Sequence, residues 1–169
     1  MKKLILSILC ALSITTAQPA LAIEKAKKPK VQHICKKNDV AVNILACNIY
    51  REARGESDYG MLAVGFVTIN RKDHDKFPTS IKKIVYQNGQ FSWTAFGSGF
   101  KVYEIDQWHK AKSFAETLIK LHKSNKVVYD TLDVTKGATY FTHKRIKPTW
   151  AKSMVKTTTI DNHSFYKEK

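Results

Sequence analysis

Tyr50-Arg51-Glu52-Ala53-Arg54-Gly55-Glu56-Ser57 closes one predicted helix and leads straight into another. Glu52 falls seven residues after Leu45 and three after Ile49, the spacing of one helical face. A carboxylic acid on an apolar stripe is costly as an anion, so its pKa rises and it can hold a proton near neutrality. That is the property a general acid needs. The competing reading is a helix-end glutamate paired with Arg51 or Arg54.

The N-terminus bears on the compartment. Lys2-Lys3, an apolar run over residues 4–14 and Ala20-Leu21-Ala22 follow the order of a secretory signal peptide cleaved after Ala22. The run is too short to span a bilayer, and polar Thr15, Thr16 and Gln18 follow it. Leu9 stands before Cys10 where a lipoprotein site requires a small residue. Export to the periplasm, envelope or extracellular space is therefore expected. Removing residues 1–22 of the 169 leaves 147, enough for one domain with one core. No second apolar segment is long enough to cross a membrane, so the exported product is expected to be soluble, without stable membrane insertion; a monomer is expected.

The formal charge of +15 becomes +13 once Lys2 and Lys3 are removed. Such a balance favours polyanionic surroundings: nucleic acid, anionic lipid or an acidic wall polymer. The lysines are scattered and do not choose among these. Residues 23–34, with Lys25, Lys27, Lys28, Pro29 and Lys30, read as a solvated linker, and residues 35–169 as the folded domain. Cys35 and Cys47 remain after cleavage; an even count in an oxidising compartment suggests a disulfide between them, with two separate buried thiols as the alternative. There is no CxxC and no histidine pair at ligand spacing, so neither a metal site nor a cofactor is implied.

Asp39 can cap a first helix that carries Val42, Leu45, Ile49 and Glu52 and ends at Gly55. Ser57 and Asp58 can cap a second, apolar nearly all round from Met61 to Ile69 and hence buried. A short helix over 81–87 precedes the turn Asn88-Gly89 and a loop that begins Gln90-Phe91-Ser92-Trp93 and runs through Gly97, Ser98 and Gly99. A long amphipathic helix is predicted over 106–123, with Trp108, Ala111, Ala115, Leu118, Ile119 and His122 on its stripe. Short β-type runs follow at 127–129, 138–141 and 164–166. The fold class is α+β, mainly helical, with a small antiparallel sheet packed on the helices.

Leu45-Ala-Cys-Asn-Ile-Tyr-Arg-Glu-Ala-Arg-Gly-Glu56 is followed in order by Gly60, Ala63-Val64, Asn70-Arg71, Phe77-Pro78, Val85, Gln87, Gln90-Phe91-Ser92, Gly137-Ala-Thr139, Pro148-x-Trp150 and His163-x-Phe165-Tyr166. Together these resemble the SleB-type cell wall hydrolases, the catalytic domain of the spore cortex-lytic enzymes. The resemblance spans about residues 40 to 167. It implies a fold related to lysozymes and lytic transglycosylases, and cleavage of peptidoglycan between N-acetylmuramic acid and N-acetylglucosamine. It also makes the first glutamate of the E-A-x-G-E stretch, here Glu52, the catalytic acid. The same carboxylate can then take the proton from the muramoyl 6-hydroxyl, giving a 1,6-anhydro product.

Glu56 is the candidate second carboxylate; paired with Glu52 across the sugar it would give simple hydrolysis. It lies beyond Gly55, and a structural role is favoured, bonding the next helix's N-terminus or Arg71. Gln90 and Ser92 are candidates for gripping sugar, Phe91 for packing, and Tyr140 and His163 for the cleft's other wall. Asn70 and Arg71 are expected to hold the Glu52 loop. The pattern departs at Tyr140, where the family carries a histidine after Gly-Ala-Thr; His143 lies three residues on. Three other readings compete: a hydrolytic muramidase of the same fold, a secreted basic ribonuclease using Glu52 with His143 or His163, and a non-catalytic wall-binding module. The ordered motifs favour peptidoglycan over nucleic acid as the partner.

Overall fold

A computed structural model describes residues 30–95 and 99–169. The expected signal peptide, the linker up to residue 29, and Gly97 and Ser98 of the predicted loop lie outside these residues. Strand β1 (His33–Cys35) precedes helix α1 (Ala41–Ala53) and the buried helix α2 (Asp58–Asn70), and α3 (Ile81–Val85) follows a charged turn. Strand β2 (Phe100–Val102) leads into the long helix α4 (Ile105–Ser124) and α5 (Lys126–Leu132). The chain ends in β3 (Tyr140–His143), β4 (Val155–Ile160) and β5 (His163–Lys167).

Helices α1, α2 and α4 pack on one another around the core. α2 is buried nearly all round, as its apolar composition requires, and Ser57 caps it by accepting from the Gly60 N–H. Close approach of the three helices depends on Gly65. A Cβ there would stand 2.5 Å from Leu118 Cδ1 of α4 and 3.1 Å from Ile49 Cδ1 of α1. At the N-terminus of α1 the cap is Val40, one residue past the expected Asp39, whose Oδ1 still accepts from the Val40 N–H and from Asn43 Nδ2. α4 buries Trp108, Ala111, Ala115 and Leu118 of its predicted stripe and leaves Ile119 and His122 half-buried, and Trp108 stacks on His33 at 4.5 Å.

Two antiparallel sheets form. The first, β1 with β2, pairs Cys35 with Phe100 and was not foreseen. The second has the order β3-β5-β4 and packs Phe141 and Phe165 toward Ala63 and Val67 of α2. Strand β4 was not predicted. The run 127–129 was expected to be a strand and is helical instead, within α5. Asn125 accepts from the Val128 N–H at 3.0 Å and closes the first turn. Tyr129 is fully buried against Phe66, with ring centroids 5.1 Å apart, so the cap and core packing outweigh the β-propensity of two valines.

Cys35 and Cys47 are joined, with their Cα atoms 5.8 Å apart, so β1 is tied to the middle of α1. Opening a loop of this size costs about 3 kcal/mol in the chain-entropy description. Urea unfolding of the Cys35→Ser/Cys47→Ser variant should therefore show a lower midpoint than wild type; an unchanged midpoint would mean that the helical core holds β1 without the bridge.

Candidate active site

The last two turns of α1 carry the side chains around which the site is built. Asn48 is fully buried, and both ends of its amide are engaged. Its Nδ2 donates to Thr68 Oγ1 of α2 at 3.0 Å, and its Oδ1 accepts from Trp93 Nε1 at 3.0 Å. Thr68 Oγ1 in turn donates a hydrogen bond to the Val64 carbonyl oxygen at 2.9 Å. The Gln90-to-Trp93 segment is thereby fastened to the middle of α1. One turn further along, on the same face, stands Glu52.

Glu52 is half-buried and makes no hydrogen bond or ion pair among the described residues. Burial pushes its carboxyl above the ordinary glutamate range, opposed only in part by the charge of Arg51. Neither neighbouring arginine forms an ion pair with it among the described residues. Arg51 lies over the Phe100 ring at 3.8 Å, and Arg54 pairs with Glu104 at 3.4 Å.

Glu56 is placed differently. Its carboxylate accepts from the Asn162 backbone N–H at 3.2 Å and from Asn162 Nδ2 at 3.2 and 3.3 Å, in the turn between β4 and β5. Beside it, Asp161 Oδ2 accepts from Ser57 N at 2.9 Å and from Ser57 Oγ at 2.5 Å. Gly60 lets the turn come this close: a Cβ there would meet Asp161 Oδ2 at 2.5 Å and Glu56 Cβ at 2.6 Å. Glu56 therefore reaches neither the N–H groups of α2 nor Arg71, but the hairpin turn 106 residues on. The sequence held no local signal for this contact.

Tyr140 and His163 do not share a wall. Register places Tyr140 opposite Tyr166 and His143 opposite His163, so Tyr140 and His163 project from opposite faces of the sheet. His163 is 8 % exposed on the inner face, edge-on to Phe141 at 5.2 Å, and its Nδ1 has no partner among the described residues. Burial lowers its pKa, which favours the neutral imidazole. Tyr140 sits on the outer face with Trp150 and Phe77. Ser92 is exposed, Gln90 is half-buried, and Phe91 is buried against Phe141, in keeping with a packing side chain.

Asn70 and Arg71 hold a different loop from the expected one. Asn70 Nδ2 donates to Asp133 Oδ2 at 2.9 Å and to the Ala138 carbonyl at 3.0 Å, while Tyr129 donates to Asn70 Oδ1 at 2.9 Å. Arg71 donates from Nε to the Thr139 carbonyl at 2.7 Å. It lies among the rings of Phe77, Phe91 and Tyr140, and burial lowers its pKa to about 10. These contacts fasten the segment before β3 to the end of α2. Cys35, Cys47 and His33 also lie together, but the two sulfurs are bonded to each other and offer no thiolate.

The raised pKa of Glu52 has a stability signature. The folded carboxyl keeps its proton to higher pH than the unfolded one, so stability falls as pH rises from the ordinary glutamate value through the raised one. Glu52→Gln removes that loss. In thermal unfolding the variant should match wild type at about pH 4 and exceed it at neutral pH; a wild type that outlasts the variant at neutral pH would contradict the burial argument.

A family profile described as Cell Wall Hydrolase matches residues 55–166, beginning just past Glu52. The fold is similar to the crystal structure of the catalytic domain of the Bacillus cereus SleB protein, at TM-score 0.60 and 22% identity, over 81% of this chain and 95% of that one. It is similar also to the catalytic domain of the germination-specific lytic transglycosylase SleB from Bacillus anthracis, at TM-score 0.60 and 23% identity, over 75% and 93% of the two chains. No curated protein matches. On a match over most of its folded residues, the chain belongs to the cell wall hydrolase family.

Proposed function

We propose that this protein is an exported lytic transglycosylase that cleaves peptidoglycan between N-acetylmuramic acid and N-acetylglucosamine, with Glu52 as its acid and base. Glu52 begins protonated and donates to the glycosidic oxygen as the bond to the muramoyl C1 breaks. Its carboxylate then takes the proton from the muramoyl 6-hydroxyl as the O6–C1 bond forms. The 1,6-anhydro ring closes, the glutamic acid is restored, and no water is consumed. Gln90 and Ser92 supply polar groups for the sugars, and His163 a neutral hydrogen-bonding group at the inner face of the sheet. The N-terminal leader supplies export.

The observation that carries this reading is the contrast between two glutamates one turn apart. Glu52 is half-buried, unpaired among the described residues, and shifted toward the protonated form. Glu56, the natural second carboxylate, is occupied by Asn162. A retaining hydrolase needs a second carboxylate about 5–5.5 Å from the acid, and an inverting one a carboxylate free to activate water. Glu56 is held by Asn162 in the turn between β4 and β5, which favours a structural role for it over activating water. The transglycosylase route uses the substrate's own hydroxyl and needs one carboxylate, and the similar Bacillus anthracis SleB domain is named a lytic transglycosylase.

Clearing of purified peptidoglycan tests the assignment. Glu52→Gln should lower the rate by at least about 100-fold, the lower end of what a general acid contributes. Clearing by the variant at the wild-type rate would remove Glu52 from the mechanism. For the wild type, kcat/KM should fall as pH rises through the elevated Glu52 pKa, because the free enzyme must carry the proton. A rate that climbs through that range would point to a carboxylate acting first as base.

A further inference from the structure

A cleft of about 590 Å³ opens between Lys36 and Lys37, which follow β1, and lining residues within 86–95, with Gly99 and Phe100 completing the wall. Two contacts fix its place relative to Glu52. Trp93, in its wall, is bonded to Asn48, one helical turn before Glu52. Phe100, in the same wall, carries the guanidinium of Arg51, the residue next to Glu52, at 3.8 Å. Two residues of its wall thus touch α1 within one turn of the proposed acid, and Glu52 itself is not among the lining residues.

Its lining has a definite chemistry. Lys36 and Lys37 stand exposed on one side and make no ion pair among the described residues. No aspartate or glutamate is among the lining residues, and the nearby Asp39 carboxylate is paired with His33 at 2.8 Å. Tyr86 and Phe100 are partly exposed rings, suited to stacking on a sugar face, and Asn88 and Ser92 present exposed polar ends. Such a cleft suits a ligand that combines a ring or peptide backbone with carboxylates.

We propose that this cleft is a docking subsite for the peptide stem of peptidoglycan, with Lys36 and Lys37 receiving its carboxylates. The inference rests on peptidoglycan being the substrate. In intact peptidoglycan the lactyl carboxylate of the muramoyl sugar is consumed by its amide bond to the stem. The free carboxylates near a cleaved bond therefore belong to the stem peptide. A chain threading past Glu52 brings them to this side, and the enzyme gains selectivity for peptide-bearing glycan over stripped strands. The general positive charge of the protein attracts the wall from all sides; these two lysines add a local term.

Co-sedimentation with insoluble peptidoglycan tests this in a Glu52→Gln background, so that binding is read without digestion. Two walls are compared, one intact and one whose carboxylates have been coupled to ammonia as neutral amides. Lys36→Ala/Lys37→Ala should weaken binding to intact wall about three- to tenfold, as two exposed ion pairs would. On amidated wall the same pair should change nothing. Lys120→Ala/Lys123→Ala, which removes the same charge from exposed positions on α4, should weaken binding less on intact wall. Equal weakening by both pairs, or none by the first, overturns the subsite. Cleavage by the wild type is measured separately: binding through these lysines with no cleavage keeps the subsite and removes the transglycosylase reading.

Discussion

Asn48 carries a side-chain amide into an interior that excludes water, and both of its ends find partners there. A buried amide left unpaired costs more than a paired one contributes, so the three groups it joins are held in a single arrangement. Those groups are the middle of α1, Thr68 of α2 and Trp93 of the loop that walls the cleft. Glu52 stands one turn below this junction and inherits its rigidity. Its direction is set by a helix that cannot rotate without breaking both bonds. Four residues later Glu56 fastens the far hairpin to the same helix end. The proposed acid thus lies between two anchored segments from distant parts of the chain.

This arrangement explains why two glutamates so close in sequence differ in chemistry. Glu52 lies within the apolar face of α1, where removal from water favours the neutral acid. Glu56 lies past the helix end, where the chain has left α1 and Asn162 supplies donors that a carboxylate accepts. The proposed reaction, in which the substrate supplies its own nucleophile, draws on this contrast between a shifted carboxyl and one bonded to Asn162.

The helices were legible because their signals are local: the apolar face of α1 ending in Glu52, the all-round burial of α2, the Ser57 cap and the stripe of α4 all follow from spacing. The Cys35–Cys47 bridge followed from count and compartment. What could not be read depends on contacts across the chain. Val127 and Val128 favour a strand by propensity, yet Asn125 and the burial of Tyr129 make the segment helical. The edge pairing of β1 with β2 draws on three-residue segments with no pattern of their own. Tyr140 and His163 looked like partners, but sheet register decides which face each takes, and one residue of parity separates them. The Glu56–Asn162 contact spans 106 residues and has no local trace. Asn48 could have been found: a buried amide on the stripe of Glu52 is the kind of polar residue that asks for partners.

The central claim is that Glu52 acts alone and the muramoyl 6-hydroxyl closes the reaction. Mass spectrometry of fragments released from peptidoglycan in isotopically labelled water tests it most directly. The account predicts muramoyl ends lighter by one water than reducing ends and free of the solvent label. Reducing ends that carry the labelled oxygen would show that water attacks the sugar, and would contradict it.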